Sequence, residues 1–546
     1  MQLITLINKM AFFFLLVFLV GTRAEGQQVY PPEGTELNFI VVPLSVPGEK
    51  GVSTYTFQVA EGIIDKESDF ATRTTLSETT DANRAVVRVP RFGDSYTWQV
   101  VYKDKGKQVK KSPLYHFSTV RSRLVNTEIY RQKVVSNTYP DKGLSYFIDN
   151  ARVLYDMEGK PLWVLPDIPP YVVFDSKVRD LKATPFNTIT FLTDYGAYEV
   201  SYDGKMLWMA PHSGEVDGVP GAYRFFHHEF TRLKNGNYML LAMEKVLRKM
   251  PAMDTLLAQR HPDVVRKDTA YYKNVEFGTI VEYNAQKDIV WKWSSADYFR
   301  DDELFHEREM DSTFLTNTHL NAFFFDEQRR VIYAGFRDKD RVISIAYPGK
   351  KIMAEYGAGT PTGRLFVHQH SVVPDLEGNL VIFNNNNPSI GRAQIAQPAV
   401  VQAHAHGSGP NGPRPPRPGL PPGAPTPPGR LAPRMNIKSS VVVINQPVSA
   451  QDTAKKVWEF ICDIDSLALP GSVMGGNAAV LEDGSLMVCM GTSHRTFIVN
   501  TKGKVLYNSL TEQRPPEGDE WAPYPAYRAN PLSAVQLSKL ATSLVK

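Results

Sequence analysis

Three segments of this 546-residue chain share one phrase. His370-Ser-Val-Val-Pro-Asp-Leu-Glu-Gly-Asn-Leu-Val-Ile-Phe383 reads as a strand, a tight turn and a second strand. His228-Glu-Phe-Thr-Arg-Leu-Lys-Asn-Gly-Asn-Tyr-Met-Leu-Leu241 repeats it, and Gly476-Asn-Ala-Ala-Val-Leu-Glu-Asp-Gly-Ser-Leu-Met-Val-Cys489 repeats it again. In each copy a glycine follows the leading residue by eight positions, and a looser relative without that glycine starts at His319. A fixed recurring unit constrains the fold more than any total over the chain does.

A second phrase recurs between the copies: a turn with Gly-Lys or its equivalent, then a strand bearing a large aromatic. It ends at Trp163, Trp208, Trp291, Trp458 and Tyr507. Asp-Gly between apolar runs is a strong hairpin signal, and the aromatic that follows is expected to pack between neighbouring sheets. Together the phrases make four-stranded units starting near 187, 228, 319, 370 and 477, with one more assembled from 145–170 and the C-terminal strand. About six such units repeated radially give an all-β chain with a six-bladed β-propeller, which leaves only protected sheet edges. Two stacked sandwiches would not explain the recurring His-strand-Gly phrase.

The chain divides further. Lys9 and the apolar run Ala11–Val20, followed by small residues, read as a signal peptide over 1–26, so the protein is expected to be periplasmic or secreted. The run is short for a membrane span, and no later stretch is long enough to cross. Residues 27–120 hold short alternating strands such as Ser53–Val59 and Ser95–Tyr102, and read as a small antiparallel, immunoglobulin-like β-sandwich. Residues 121–144 read as a linker, and 145–546 as the propeller. Helical turns are expected around Leu256. A Pro-rich insertion at about 403–434 carries eleven of the 39 prolines and cannot form a core. A net charge of +4 spread over such a chain makes no case for nucleic acid. The two cysteines, Cys462 and Cys489, read either as a disulfide or as two buried thiols.

The innermost strand of each propeller blade lines the central channel, so equivalent positions on different blades meet near the axis. If His228, His319 and His370 each open such a strand, their rings converge. Asn321, two residues after His319, is expected on the same face of a regular strand. Arg337 ends the next strand near the same mouth, whereas His227 and His368, one or two positions away, should point elsewhere. Three readings stay open from spacing alone. The histidines line the channel of a non-catalytic binding propeller; they hold a metal, as in a metal-dependent hydrolase; or one imidazole attacks an electrophile while donors hold anionic oxygens. Arg337 argues against the metal, because it adds positive charge.

At these residues the chain resembles the bacterial arylsulfate sulfotransferases. The resemblance rests on the ordered set His227-His228-Glu-Phe, Thr318-His319-Leu-Asn321, Phe336-Arg337 and Gln369-His370, and covers nearly all of the chain after the leader. It implies a six-bladed propeller with an N-terminal sandwich, an aryl sulfate donor and a phenolic acceptor. It implies no cofactor, no metal and no adenylyl-sulfate donor. His370 would take the sulfuryl group in a ping-pong cycle, while His228, His319, Asn321 and Arg337 hold its oxygens. A homodimer with the sandwich as contact is a further possibility that the resemblance raises. Three departures stand out: Ser371 follows His370 where the family usually has Asp, the Pro-rich insertion interrupts the blade after the strand of His370, and the run Asn384–Asn387 lies near the presumed mouth.

Overall fold

The computed structural model describes residues 28–173, 176–194, 196–211, 226–250, 264–305, 318–387, 437–447, 452–515 and 518–545. The expected signal peptide, the Pro-rich insertion and the segment around Leu256 lie outside these residues.

Six antiparallel sheets each run outward strand by strand from a leading strand. The leading strands are Ala529–Leu532, Arg179–Ala183, Phe226–Arg232, Leu320–Asp326, His370–Pro374 and Asn477–Val480, taken as sheets one to six. Consecutive leading strands pack side by side, and the sixth packs on the first, so their order is cyclic. In sheet one the leading strand comes last in sequence. It pairs antiparallel with Ser145–Ile148, from Ser145 opposite Leu532 to Ile148 opposite Ala529.

The recurring aromatics do join consecutive sheets. Trp163 of sheet one stacks toward Tyr202 of sheet two, with centroids 6.4 Å apart. Trp208 of sheet two lies flat on Tyr238 of sheet three at 3.7 Å. Trp291 of sheet three meets Tyr347, in the turn between the last two strands of sheet four, and donates its indole N–H to the Pro348 carbonyl. The Tyr507 hydroxyl of sheet six is 2.7 Å from that of Tyr146 in sheet one. Trp458 differs: its neighbour is Phe460 on its own strand.

Several expectations need correction. The second unit starts earlier than residue 187, on Arg179–Ala183. The turn after it has no glycine, and Asn187 takes the left-handed conformation (φ +58°) that Gly236 and Gly378 take elsewhere. Residues 130–137, expected inside a linker, form a strand that pairs with Val505–Gln513 on the outer edge of sheet six. The described residues on either side of Leu256 are not helical. Tyr238–Lys249 and Ala270–Tyr283 form one long hairpin arm, in register throughout.

The N-terminal region has two sheets. Thr35–Leu37, Tyr115–Thr119, Ser95–Asp104, Thr54–Glu61 and Thr74–Thr80 form one, in that order, with Lys107–Lys111 also paired to Ser95–Asp104, and Val41–Ser45 with Arg84–Arg88 form the other. The first pair runs parallel, so the unit is not wholly antiparallel as expected. Phe57, Trp98 and Phe117 fill the space between the sheets. This core is continuous with sheets one and two: Phe39 stacks on Tyr202 at 4.4 Å, and the Asn38 amide donates to the Val164 carbonyl at 2.8 Å. The helix Ala534–Thr542, capped by Ser533 and Gln536, buries Leu537 and Leu540 in the same core. Both cysteines are buried free thiols, Cys462 between sheets five and six and Cys489 between sheets six and one.

Trp208 is almost wholly buried and its indole N–H has no partner among the described residues, so truncation removes packing alone. Trp208→Ala should lower stability by about 3–5 kcal/mol, seen as an earlier denaturant midpoint. Val457→Ala, at a position 54% exposed in sheet five, should stay within about 0.5 kcal/mol of the parent.

Candidate active site

The leading strands are not regular where the histidines sit. Pairing slips between Phe226 and Phe230, between Leu320 and Ala322, and between His370 and Val372. Beside these slips His228, His319 and Ser371 have φ of +64°, +44° and +62°. Such values are uncommon for residues other than glycine, and a bulge turns a side chain away from simple alternation. The alternation argument that put His319 and Asn321 on one face therefore fails, because Asn321 is itself the extra residue of a bulge.

The three rings do converge. His228 meets His319 edge to face with centroids 5.2 Å apart, and lies 6.4 Å from His370. Tyr527, just before the last leading strand, touches His228 at 5.7 Å and His370 at 6.2 Å, and its hydroxyl is buried without a partner among the described residues. The site thus draws on sheets one, three, four and five.

His370 is almost completely buried, and its Nδ1 is 2.6 Å from Asn385 Oδ1. The Asn385 amide nitrogen donates to the carbonyls of Ser472 (2.9 Å) and Gly475 (3.0 Å). Asn321 is wholly buried too, and its amide donates to the Gln369 carbonyl at 2.8 Å. It ties the residue before His370 to sheet four. Arg337 follows the second strand of sheet four. Its backbone N–H donates to the His319 carbonyl, and its guanidinium pairs with Asp338 at 2.7 Å while still partly open to solvent.

His227 does not point away as expected. The Nδ1 atoms of His227 and His228 are 2.5 Å apart, so one ring donates to the other. The His368 ring carries a buried Nδ1 without a partner among the described residues, and its direction is not fixed by any contact to the other rings.

Burial dominates the electrostatics. It pushes His370 well below the ordinary imidazole value; the Asn385 contact opposes this, and Arg337, His319 and Arg528 reinforce it. His228 is pushed well down by burial and by His227, His319 and His370. His227 falls to about 3 through burial and His319, and His368 to about 4 through burial and Arg337. These four imidazoles are neutral near pH 7.

Beneath the rings lies a buried ion cluster. Arg528 donates to Glu229 at 2.5 Å and to Asp180 at 3.1 Å, and Lys182 reaches both carboxylates at 2.8 Å. Burial tends to raise the Glu229 carboxyl, but Arg528 and Lys182 outweigh it and hold it below its ordinary value. Glu229 is therefore committed to these cations. Among the described residues no group of three or more His, Cys, Asp or Glu is placed to hold a metal ion.

Sequence reasoning missed Asn385, Tyr527 and Arg528 as members of the site. The asparagine run pointed toward the first of them. Tyr527 and Arg528 carry no local signal, because their neighbours Asp180, His228, Glu229 and His370 lie far upstream in the chain.

The arylsulfotransferase (ASST) family matches residues 133–504, well over half of the chain. No curated protein matches. Among solved structures, a protein of unknown function from Bacteroides caccae is similar at 10% identity and a TM-score of 0.36, covering 74% of this chain and 99% of its own. A streptogramin B lyase is similar at 10% identity and 0.33, covering 72% and 89%. A periplasmic gluconolactonase from Pseudomonas aeruginosa is similar at 11% and 0.30, covering 70% and 96%. Scores this low say nothing about the reaction. The family match spans five of the six leading strands and all three converging histidines, and by it the chain belongs to the arylsulfotransferase family.

Proposed function

We propose that the chain is a six-bladed propeller enzyme that moves a sulfuryl group from an aryl sulfate to a phenol through a sulfated His370. The observation that carries this is the buried, neutral His370 beside His228, at the outset of separate leading strands, in a chain of this family. A neutral imidazole is a nucleophile, and burial removes the water that would compete for the sulfuryl group.

In the first half-reaction the His370 Nε2 lone pair attacks sulfur as the S–O bond to the aryl group breaks. The ring becomes an N-sulfonated imidazolium and the phenolate departs. His228, which burial keeps neutral, gives only a hydrogen bond, and His319 supplies the proton that the leaving oxygen takes up. In the second half, an acceptor phenol returns its proton to that histidine, its oxygen attacks sulfur, and the N–S bond breaks. No nucleotide sulfate donor enters the cycle. Arg337, His228, His319 and the second amide hydrogen of Asn321 hold the sulfuryl oxygens as charge shifts. The N-terminal sheets serve as an immunoglobulin-like unit. The apolar leader at Ala11–Val20 directs export.

Brief mixing with p-nitrophenyl sulfate and no acceptor should add one sulfuryl group to the peptide containing His370, seen by mass spectrometry, and phenol should remove it. Neither adduct nor nitrophenol would count for a binding propeller instead. His370→Asn should abolish the adduct and lower transfer by at least about 10³-fold with an unchanged circular dichroism spectrum. Full activity in that variant would refute the assignment. Arg337→Ala should cost about 10²–10³-fold in kcat.

The pH dependence follows from the lowered imidazole value. Protonating His370 removes its lone pair, and its value lies well below 6.5. The burst of nitrophenol should therefore keep its rate as pH falls from about 7.5 to about 6. An acid limb centred at or above the ordinary value would contradict a buried neutral nucleophile.

A further inference from the structure

We infer that Asn385 is the positioning residue that fixes the tautomer of His370, leaving Nε2 bare to attack. The inference concerns the nucleophile of the proposed reaction and rests on that reading, but the tautomer can be observed without any turnover.

Hydrogen-bond supply decides the matter. Asn385 is wholly buried, and its side chain has three contacts: the carbonyls of Ser472 and Gly475, and His370 Nδ1. Backbone carbonyls only accept, so the amide end facing them must be the NH₂ group, and both of its hydrogens are spent there. The end facing His370 is then the oxygen, which only accepts. At 2.6 Å it requires a proton on Nδ1. A neutral imidazole has one proton, so Nε2 keeps its lone pair.

The carbonyls that set this amide are themselves held. The Ser472 N–H donates to Ser439 Oγ at 2.8 Å, and Ser439 Oγ donates to the Asn385 carbonyl at 3.1 Å. Flipping the amide would set its oxygen against two carbonyl oxygens and lose both of its donated bonds. Ser371, next to the nucleophile, plays no part in this, because its hydroxyl is directed at the Ala478 carbonyl, 3.5 Å away. The residue after His370 is thus not what orients the ring in this chain.

A neutral acceptor also suits the chemistry. Attack on sulfur makes the ring cationic, and the Nδ1–H to Oδ1 bond strengthens as charge develops. An amide oxygen does not remove that proton, so the sulfated ring stays an imidazolium, from which sulfur is readily transferred again. A carboxylate at this position would make Nε2 more basic and protonate it at neutral pH.

The test pairs spectroscopy with two variants. In protein labelled with ¹⁵N-histidine, the resonances lost in His370→Asn identify His370. Wild type should show a protonated Nδ1 and a bare Nε2; a protonated Nε2 would overturn the inference whether or not the variants fold. Asn385→Ala should lower the nitrophenol burst rate by about 10²-fold or more, because the ring loses its set orientation. Asn385→Asp lacks both N–H donors, so it serves the 472–475 segment no better than alanine. It still accepts from Nδ1. Above its acid limb it should be faster than Asn385→Ala, and that limb should move up in pH relative to wild type. If Asn385→Asp is no faster than Asn385→Ala at any pH, Asn385 merely holds the segment. If wild type forms no adduct at all, the reading as a sulfotransferase fails, while the spectrum still decides the tautomer.

Discussion

Arg528 sits where three leading strands begin. Its guanidinium joins Glu229 of sheet three and Asp180 of sheet two from its own place beside sheet one, and Lys182 completes the balance of charge. Burying four charges this deeply gains little net stability, since desolvation consumes most of the attraction. Removing one member would strand the others, at a cost of about 3–5 kcal/mol. The cluster thus specifies geometry: the three strands can start at only one height relative to one another. Tyr527, one residue before Arg528, is thereby set against His228 and His370. The position of the rings depends on this pairing of charges below them.

Above the cluster the chemistry relies on exclusion of water. His228 and His370 are neutral chiefly because they are buried, not because a carboxylate tunes them. Glu229 lies one residue from His228, yet its charge is taken up by Arg528 and Lys182. Asn385, not an acid, meets the inner nitrogen of His370. A site built this way keeps uncharged nitrogen bases next to a cationic guanidinium, a combination suited to an anionic ester and ill suited to a free cation.

Much of this was legible wherever a residue type is forced by the backbone. The glycine eight residues into the phrase marks a turn at positive φ, as Gly236, Gly378 and Gly484 show at +89°, +90° and +79°. Where Asn187 or Arg330 takes that conformation instead, at +58° and +56°, the phrase is blurred, and the strand Arg179–Ala183 escaped notice. Aromatics between sheets were readable because they recur after the same turn. The bulges were not, since an extra residue leaves no mark on an apolar pattern this short. That is why regular alternation was carried across Asn321, and why His227 was sent away from a ring it touches. Contacts that depend on distant parts of the chain, such as those of Tyr527 and Arg528, have no local pattern at all.

The strand Ala529–Leu532 is the innermost member of a sheet whose other three strands lie between Ser145 and Val164. During synthesis the chain therefore makes the outer part of sheet one first and its centre only after the other five sheets. Until that strand emerges, the cyclic order of leading strands has a gap. Glu229 and Asp180 then lack their arginine, and His228 and His370 lack the tyrosine between them. A chain released just short of Tyr527 would carry His228, His319 and His370 but lack both the ring that touches two of them and the arginine that joins Glu229 to Asp180.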